Sequence, residues 1–247
     1  MTFQAKVQST VSYWLRDCSR SLNYNTTTLQ DQNANFRFIF SNGSMSSNDK
    51  LEELAHPTYW DERYVSPTED SYEWFKNYDQ IREFVEKHIP DKSSSIINLG
   101  CGNSLMSPTM HEEGYCNIAN IDFSKIIIEK MSEKYPEQTW KVADVRETGY
   151  PDGHFDAAID KGTLDAMLSG SLWNPPDHVK ERTTAYIDEI IRILKPAGKL
   201  LYITYRQPHF IKPIVVREDV WDLNIEKLTE GGGMFEYFAY VLTMKSG

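Results

Sequence analysis

From Asp79 to Tyr205 the chain alternates helical patterns with short apolar runs, and that alternation limits its fold more than any other feature. Parallel strands cannot be joined by a tight turn; they need a crossover, which helices supply. "YDQIREFVEKHIP" sets Ile81, Phe84, Val85 and His88 along one helical stripe and stops near Pro90. His88 reads as a packed or rim side chain with no role. "SSIINLG" is a strand running into glycine, "SPTMHEEG" is helical, and "CNIANIDFS" is a second strand ending at Asp122. "SKIIIEKMSEKY" follows as a helix capped by Ser124, then "TWKVADV" and "FDAAIDKG" as strands, "TTAYIDEIIRILKPAG" as a long helix and "KLLYITY" as a strand. The expected fold is α/β, with a doubly wound, mostly parallel sheet and helices on both faces. Two further strand-like runs, "VWDLNIEKL" and "MFEYFAYVLTMK", joined by "TEGGG", predict a terminal antiparallel hairpin and bring the count to seven strands.

Residues 1–50 differ from this pattern. They are rich in Ser, Thr and Asn, contain no Glu, and set basic Lys6, Arg16, Arg20, Arg37 and Lys50 against Asp17, Asp31 and Asp49. Such a start has the composition of a mitochondrial transit peptide, while "MSSNDKLEELAHPTYWDERY" from Met45 also reads as a natural polar start running into a capped helix; both readings stay open. The organisation expected is therefore an extension over 1–50 and one domain over 51–247. No run of about 18 apolar residues is present, and the start lacks the apolar block of a secretory signal, so a cytoplasmic location off the membrane is expected. Cys18, Cys101 and Cys116 are odd in number and unpaired in spacing, which indicates neither a disulfide framework nor a zinc ribbon. A net charge of −10 argues against nucleic acid as a partner, because that affinity rests on clustered Lys and Arg.

The loop "LGCGNS" follows the first strand of the alternation, where ligands lie in a doubly wound sheet. Gly100 and Gly102 allow a sharp turn and a close approach of ligand to backbone. A dinucleotide loop would add a third glycine, but here Asn103, Ser104, Leu105 and Met106 follow, so a pyrophosphate is not favoured. Asp122, 22 residues after Gly100, ends the next strand where an acid can accept from ribose hydroxyls. Asp144 ends the third strand and can accept from an adenine amine, with Val145 or Phe123 flanking the ring. Together these residues suit a nucleoside without a demanding phosphate.

"LGCGNS", "IDFS", "ADVRE" and "DKGTLDAML", preceded by "YWDERY" and "YEWF", resemble the class I S-adenosylmethionine-dependent methyltransferases, a Rossmann-like family. Within that family the chain resembles the group of elongation factor 1-alpha lysine methyltransferase 4, and the resemblance covers about residues 56–245. It implies that Trp60, Tyr64 and Trp74 close over S-adenosylmethionine and that Gly100, with Gly102 and Asn103, lies under its amino-acid part. It further implies that Asp122 and Phe123 receive ribose and adenine, that Asp144 and Val145 hold the adenine edge, and that Lys161 sits near the methionine end. From the residues alone, Trp60, Tyr64 and Trp74 read equally as core of a docking helix. The chain departs from many class I enzymes at Asn98, where an acid is usual.

The activity implied is methyl transfer to a protein lysine, with elongation factor 1-alpha or a similar protein as substrate and the enzyme a monomer. A lysine nucleophile must first lose a proton held with a pKa near 10.4, which desolvation and a nearby carboxylate assist. Asp160 and Asp165 bracket "KGTL" at the end of the fourth strand, and Tyr205 ends the fifth; these three are the catalytic candidates. Each also has a plain structural alternative: Asp160 capping the turn, Asp165 facing solvent on the next helix, Tyr205 packing. Two other functions stay open: a small-molecule methyltransferase, favoured if "SLWNPPDHV" and the tail close over a small pocket, and a binder of the cofactor without activity.

Overall fold

A computed structural model describes residues 51–65, 71–228 and 236–246, all within the second of the two units into which the chain divides, Ser47–Gly247. The expectations for residues 1–50 and for the "TEGGG" turn lie outside the described residues. In chain order the elements are α1 (Pro57–Val65), α2 (Tyr78–His88), β1 (Ile96–Leu99), α3 (Met106–Glu112), β2 (Ile118–Asp122), α4 (Lys125–Lys134) and β3 (Thr139–Val142). They continue with β4 (Phe155–Lys161), α5 (Thr163–Met167), α6 (Asp177–Ile193), β5 (Leu194–Thr204), α7 (Pro208–Val215), β6 (Trp221–Leu228) and β7 (Tyr237–Met244).

The seven strands form one sheet in the order β3-β2-β1-β4-β5-β7-β6. The first five run parallel, and β7 lies antiparallel between β5 and β6. The doubly wound sheet with an antiparallel end is thus as expected. Strand order reverses between β1 and β4, so the crevice beyond their carboxyl ends is where a ligand belongs. Alternate residues of β1 enter the two cores: Ile97 and Leu99 pack with Tyr186, Ile187 and Ile190 of α6, while Ile96 packs with Ile81, Phe84 and Val85 of α2. Among the described residues no helix is long and apolar enough to cross a membrane.

Local chemistry explains the boundaries. Asn77 and Gln80 form a reciprocal capping box at the start of α2, each side chain accepting the other's backbone N–H at 3.1 Å. The α6 helix begins six residues ahead of the expected Thr183, directly after Pro175 and Pro176, because Val179 already belongs to its buried stripe. It ends at Ile193 instead of continuing through "LKPAG", since Pro196 cannot extend a helix and Ala197 takes φ +60°. The third strand stops at Val142, short of the expected Val145: Ala143 N donates to Asp122 O at 3.0 Å and the chain turns into an isolated bridge between Asp144 and Glu147. His88, left without a role, binds Glu226 of β6 at 2.9 Å through Nε2. The α7 helix, containing "PHF", was not anticipated.

Asn98 has a structural reason to be neutral. It stands beside Asn120 in the parallel register of β1 and β2 and donates to its Oδ1 at 3.1 Å, while Asn120 donates to Thr139 O and Gln138 Oε1. Both amides are buried. An acid at this position would place an uncompensated charge inside the amide ladder.

Candidate active site

The loop after β1 is shaped by contacts that leave no room for a side chain. Gly100 has φ +64°, and a Cβ on it would stand 2.2 Å from Thr163 Oγ1, whose hydroxyl donates to Leu99 O at 2.7 Å. Gly102 has φ +50°, and its Cβ would meet the Tyr64 hydroxyl at 2.8 Å. Gly100→Ala is expected to cost about 1–3 kcal/mol in stability, read as a lower urea midpoint. Gly114→Ala is the control, because Gly114 also has positive φ but nothing within 4 Å of its would-be Cβ.

Asp122, at the end of β2, closes the loop from beneath. It is 4% exposed, accepting Gly102 N at 3.0 Å and Ser124 N at 2.9 Å. Among the described residues it has no cationic partner. Burial pushes its carboxyl up to about 6, against the backbone N–H groups of Ser124 and Gly102, which pull it down.

An aromatic wall built on α1 stands over this loop. Trp60 lies 5.8 Å from Tyr64 and 5.9 Å from Trp74 between ring centroids, and Trp60 and Tyr64 pack against Ile127 and Met131 of α4. Asp61 accepts from Ser124 Oγ at 2.5 Å, and Lys130 Nζ binds Tyr64 O, so α1 is pinned to the helix that follows Asp122. Burial first, and then the Asp122 charge, raises the Tyr64 hydroxyl well above its ordinary range, which keeps it neutral. Phe123 packs at the margin of the same cluster, and Val145 is buried in the core against α6.

A second network ties residues 71–76 to the ends of β1 and β4. Lys161 Nζ donates to Glu73 Oε2 at 2.8 Å and to Trp74 O at 3.1 Å. Glu73 also accepts from Ser104 Oγ at 2.8 Å and Leu105 N at 2.7 Å. Burial lowers the Lys161 pKa, and the Glu73 carboxylate opposes that shift. Phe75 holds a left-handed backbone, φ +64°, and its ring packs between Tyr205 and Tyr237 at 5.4 and 6.0 Å. Strain of this kind in a bulky residue is found at ligand clamps. Sequence reading missed Glu73; its signal was its place in "YEWF", beside Trp74.

The other candidates sit as follows. Asp160 accepts Thr163 N at 2.8 Å, Leu164 N at 3.0 Å and the Tyr186 hydroxyl at 2.7 Å, fully buried. It thus caps α5, the structural alternative given for it. Burial pushes its carboxyl up to about 7. Asp165 does not face solvent: it is 8% exposed and accepts Tyr202 Oη, Thr204 Oγ1 and Arg206 Nε, each at 2.8 Å. Tyr205 is half-buried beside Phe75, with its hydroxyl raised by burial. Asp144 is engaged by Arg146 through Nε at 2.9 Å and Nη2 at 2.6 Å. Gly100, Gly102, Asp122 and Tyr64 therefore converge, as do Lys161, Glu73 and Trp74, while Asp160 and Asp165 lie in buried networks of their own. Asn103 is partly exposed on the loop.

Residues 97–202 match the model of a methyltransferase domain. The chain is 31% identical over 191 residues to mouse EEF1A lysine methyltransferase 4, covering 74% of this chain and 73% of that one. The chain belongs to that group of class I S-adenosylmethionine-dependent methyltransferases. It is also 28% identical over 204 residues to the Xenopus laevis eEF1A lysine and N-terminal methyltransferase, covering 78% of this chain but 29% of that longer protein. Among solved structures, a TehB-like S-adenosylmethionine-dependent methyltransferase from Corynebacterium glutamicum shares the fold, with TM-score 0.52 at 16% identity over 77% of this chain and 99% of that one.

The site of this methyltransferase fits its cofactor. Asp122 is a buried carboxylate without a cation and with acceptor capacity beyond its two backbone bonds, as a ribose diol requires. The glycine loop would admit a ligand against backbone, and of the three rings the half-buried Trp74 would offer a face to a sulfonium, while Trp60 and Tyr64 are buried against Ile127 and Met131. In the ligand-free protein, a carboxyl raised in the folded state contributes stability that is fully present below its unfolded value and lost as pH rises through about 6. Cofactor hydroxyls favour the ionised form, so affinity runs the opposite way. Calorimetry from pH 5 to 8 is expected to find cofactor affinity level above pH 7 and falling up to about tenfold per unit below 6.

Proposed function

We propose that the protein is a lysine N-methyltransferase whose substrate is elongation factor 1-alpha or a similar translation factor, acting as a monomer in the cytoplasm. The observation that carries this reading is the likeness to mouse EEF1A lysine methyltransferase 4 along most of both chains. The bound cofactor supplies a methyl group on a positively charged sulfur. The chain itself has to hold that group, exclude water and present the amine in line. Trp60, Tyr64 and Trp74 exclude water from the N-terminal side, and Glu73 with Lys161 fixes the segment that carries Trp74 to the glycine loop. Asp160 and Asp165 act as positioning residues: their oxygens already accept three hydrogen bonds each, and they set the turn into α5 and the exit of β5. Tyr205, neutral at physiological pH, forms a wall where the amine enters, and desolvation there favours the neutral amine.

A small-molecule substrate is less well supported. That reading needed 171–179 and the tail to close over a pocket, but Trp173 is 67% exposed and the tail forms strands β6 and β7 of the sheet. The test is incubation of the purified chain with methyl-labelled S-adenosylmethionine and a cell lysate. Label recovered as methyl-lysine in protein supports the reading, whereas label only in small molecules overturns it.

A further inference from the structure

At the carboxyl edge of the sheet, the loop between α5 and α6 and the first turn of α7, which the short loop after β5 leads into, present an aromatic surface to solvent. Trp173 stacks on His209, with centroids 5.4 Å apart at 30°, and meets Phe210 edge-on at 5.0 Å. His209 and Phe210 are themselves 3.9 Å apart. Among the described residues Trp173 is the one exposed Trp, Tyr or Phe; the other exposed large apolar side chains, Val65 and Val142, are aliphatic. Core formation does not explain it.

The loops that carry this surface are held from behind. Gly170, at φ +72°, lets the chain fold back so closely that a Cβ there would meet Pro176 at 3.1 Å, and Asn174 N donates to Ser171 Oγ at 3.2 Å. Arg182 of α6 donates to Met167 O at 2.7 Å and Ser169 Oγ at 3.0 Å, and Glu52 pairs with it at 2.5 Å. Arg206, at the root of the second loop, is paired with Asp165 at 2.8 Å and reaches Leu168 O at 3.4 Å. Both loops thus share one buried anchor. A rigid, exposed tryptophan loses little freedom when covered, which is the character of an interface anchor.

We propose that Trp173, His209 and Phe210 form the docking surface for the lysine-bearing segment of the protein substrate. The proposal rests on the reading of the substrate as a protein. The occupant is a basic stretch of chain: ring faces attract Lys and Arg side chains and cover their aliphatic stems, and the chain carries a net charge of −10. Position agrees with this, since both loops leave the edge of the sheet at which the cofactor site opens.

The test is steady-state methylation of purified elongation factor 1-alpha by the full chain and by Trp173→Ala, Trp173→Phe and His209→Ala, with cofactor Kd and thermal midpoint measured on each. Trp173→Ala is expected to raise KM about tenfold with the effect in KM and not in kcat, cofactor Kd and thermal midpoint holding, and with most of the loss recovered by Trp173→Phe. His209→Ala is expected to raise KM less. A KM within twofold of wild type for both alanine variants would overturn the proposal, as would a loss confined to kcat or cofactor binding. A wild-type dimer in sedimentation that Trp173→Ala dissociates, with KM unchanged, would assign the surface to a second copy instead. A wild-type chain that binds cofactor yet methylates no protein would overturn the underlying reading, a result distinct from an active enzyme indifferent to Trp173.

Discussion

Asp165→Ala is expected to lower the free energy of unfolding by about 3–5 kcal/mol, because it leaves the Arg206 guanidinium buried without its carboxylate. Tyr202 and Thr204 lose their acceptor in the same step. Urea denaturation at neutral pH measures the loss. Asp165→Ala combined with Arg206→Met removes both charges and is expected to regain most of it, since an apolar pair of similar size avoids the unpaired ion. The double variant also separates holding from chemistry. If Asp165 only positions the loops after β4 and β5, methyl transfer returns with the fold; if it takes the proton of the substrate amine, the double variant folds but stays inactive.

Asp122→Asn is expected to weaken S-adenosylmethionine binding by about 3 kcal/mol, roughly 100-fold in Kd, because charge-assisted bonds from two ribose hydroxyls are each worth about 1.5–3 kcal/mol. Stability should change far less. Removing an ionised carboxylate from a buried site offsets the loss of one backbone N–H bond, from Gly102 or Ser124. Calorimetry reads the first effect and a thermal scan the second. A change in Kd under threefold would remove Asp122 from the ribose site, and a thermal midpoint lower by tens of degrees would make its part mainly structural.

The sheet was legible because its strands are buried on both faces and read as apolar runs, as in Ile96–Leu99 and Ile118–Asp122, each cut by glycine or a capping residue. Boundaries were less legible where a distant contact decides them. The third strand ends at Val142 because Ala143 turns to bind Asp122 O. The α6 helix starts at Asp177 because Val179 finds core, which periodicity from Thr183 onward does not reveal. In the site, Gly100, Gly102 and Asp122 followed from backbone geometry and strand ends. Glu73 did not, since its value lies in meeting Ser104, Leu105 and Lys161, which are 31, 32 and 88 residues away. Asp165 was misplaced on its structural alternative for the same reason: nothing local in "KGTLDAM" announces Arg206.

The most direct measurement is tandem mass spectrometry of purified elongation factor 1-alpha after incubation with the full chain and S-adenosylmethionine, with Asp122→Asn run alongside. Methyl groups on one defined lysine, formed by the wild type and nearly absent with Asp122→Asn at the same cofactor concentration, are the predicted result. An unmodified factor under conditions where calorimetry shows the wild type saturated with cofactor would contradict the proposed substrate. Methylation undiminished in Asp122→Asn would contradict the site.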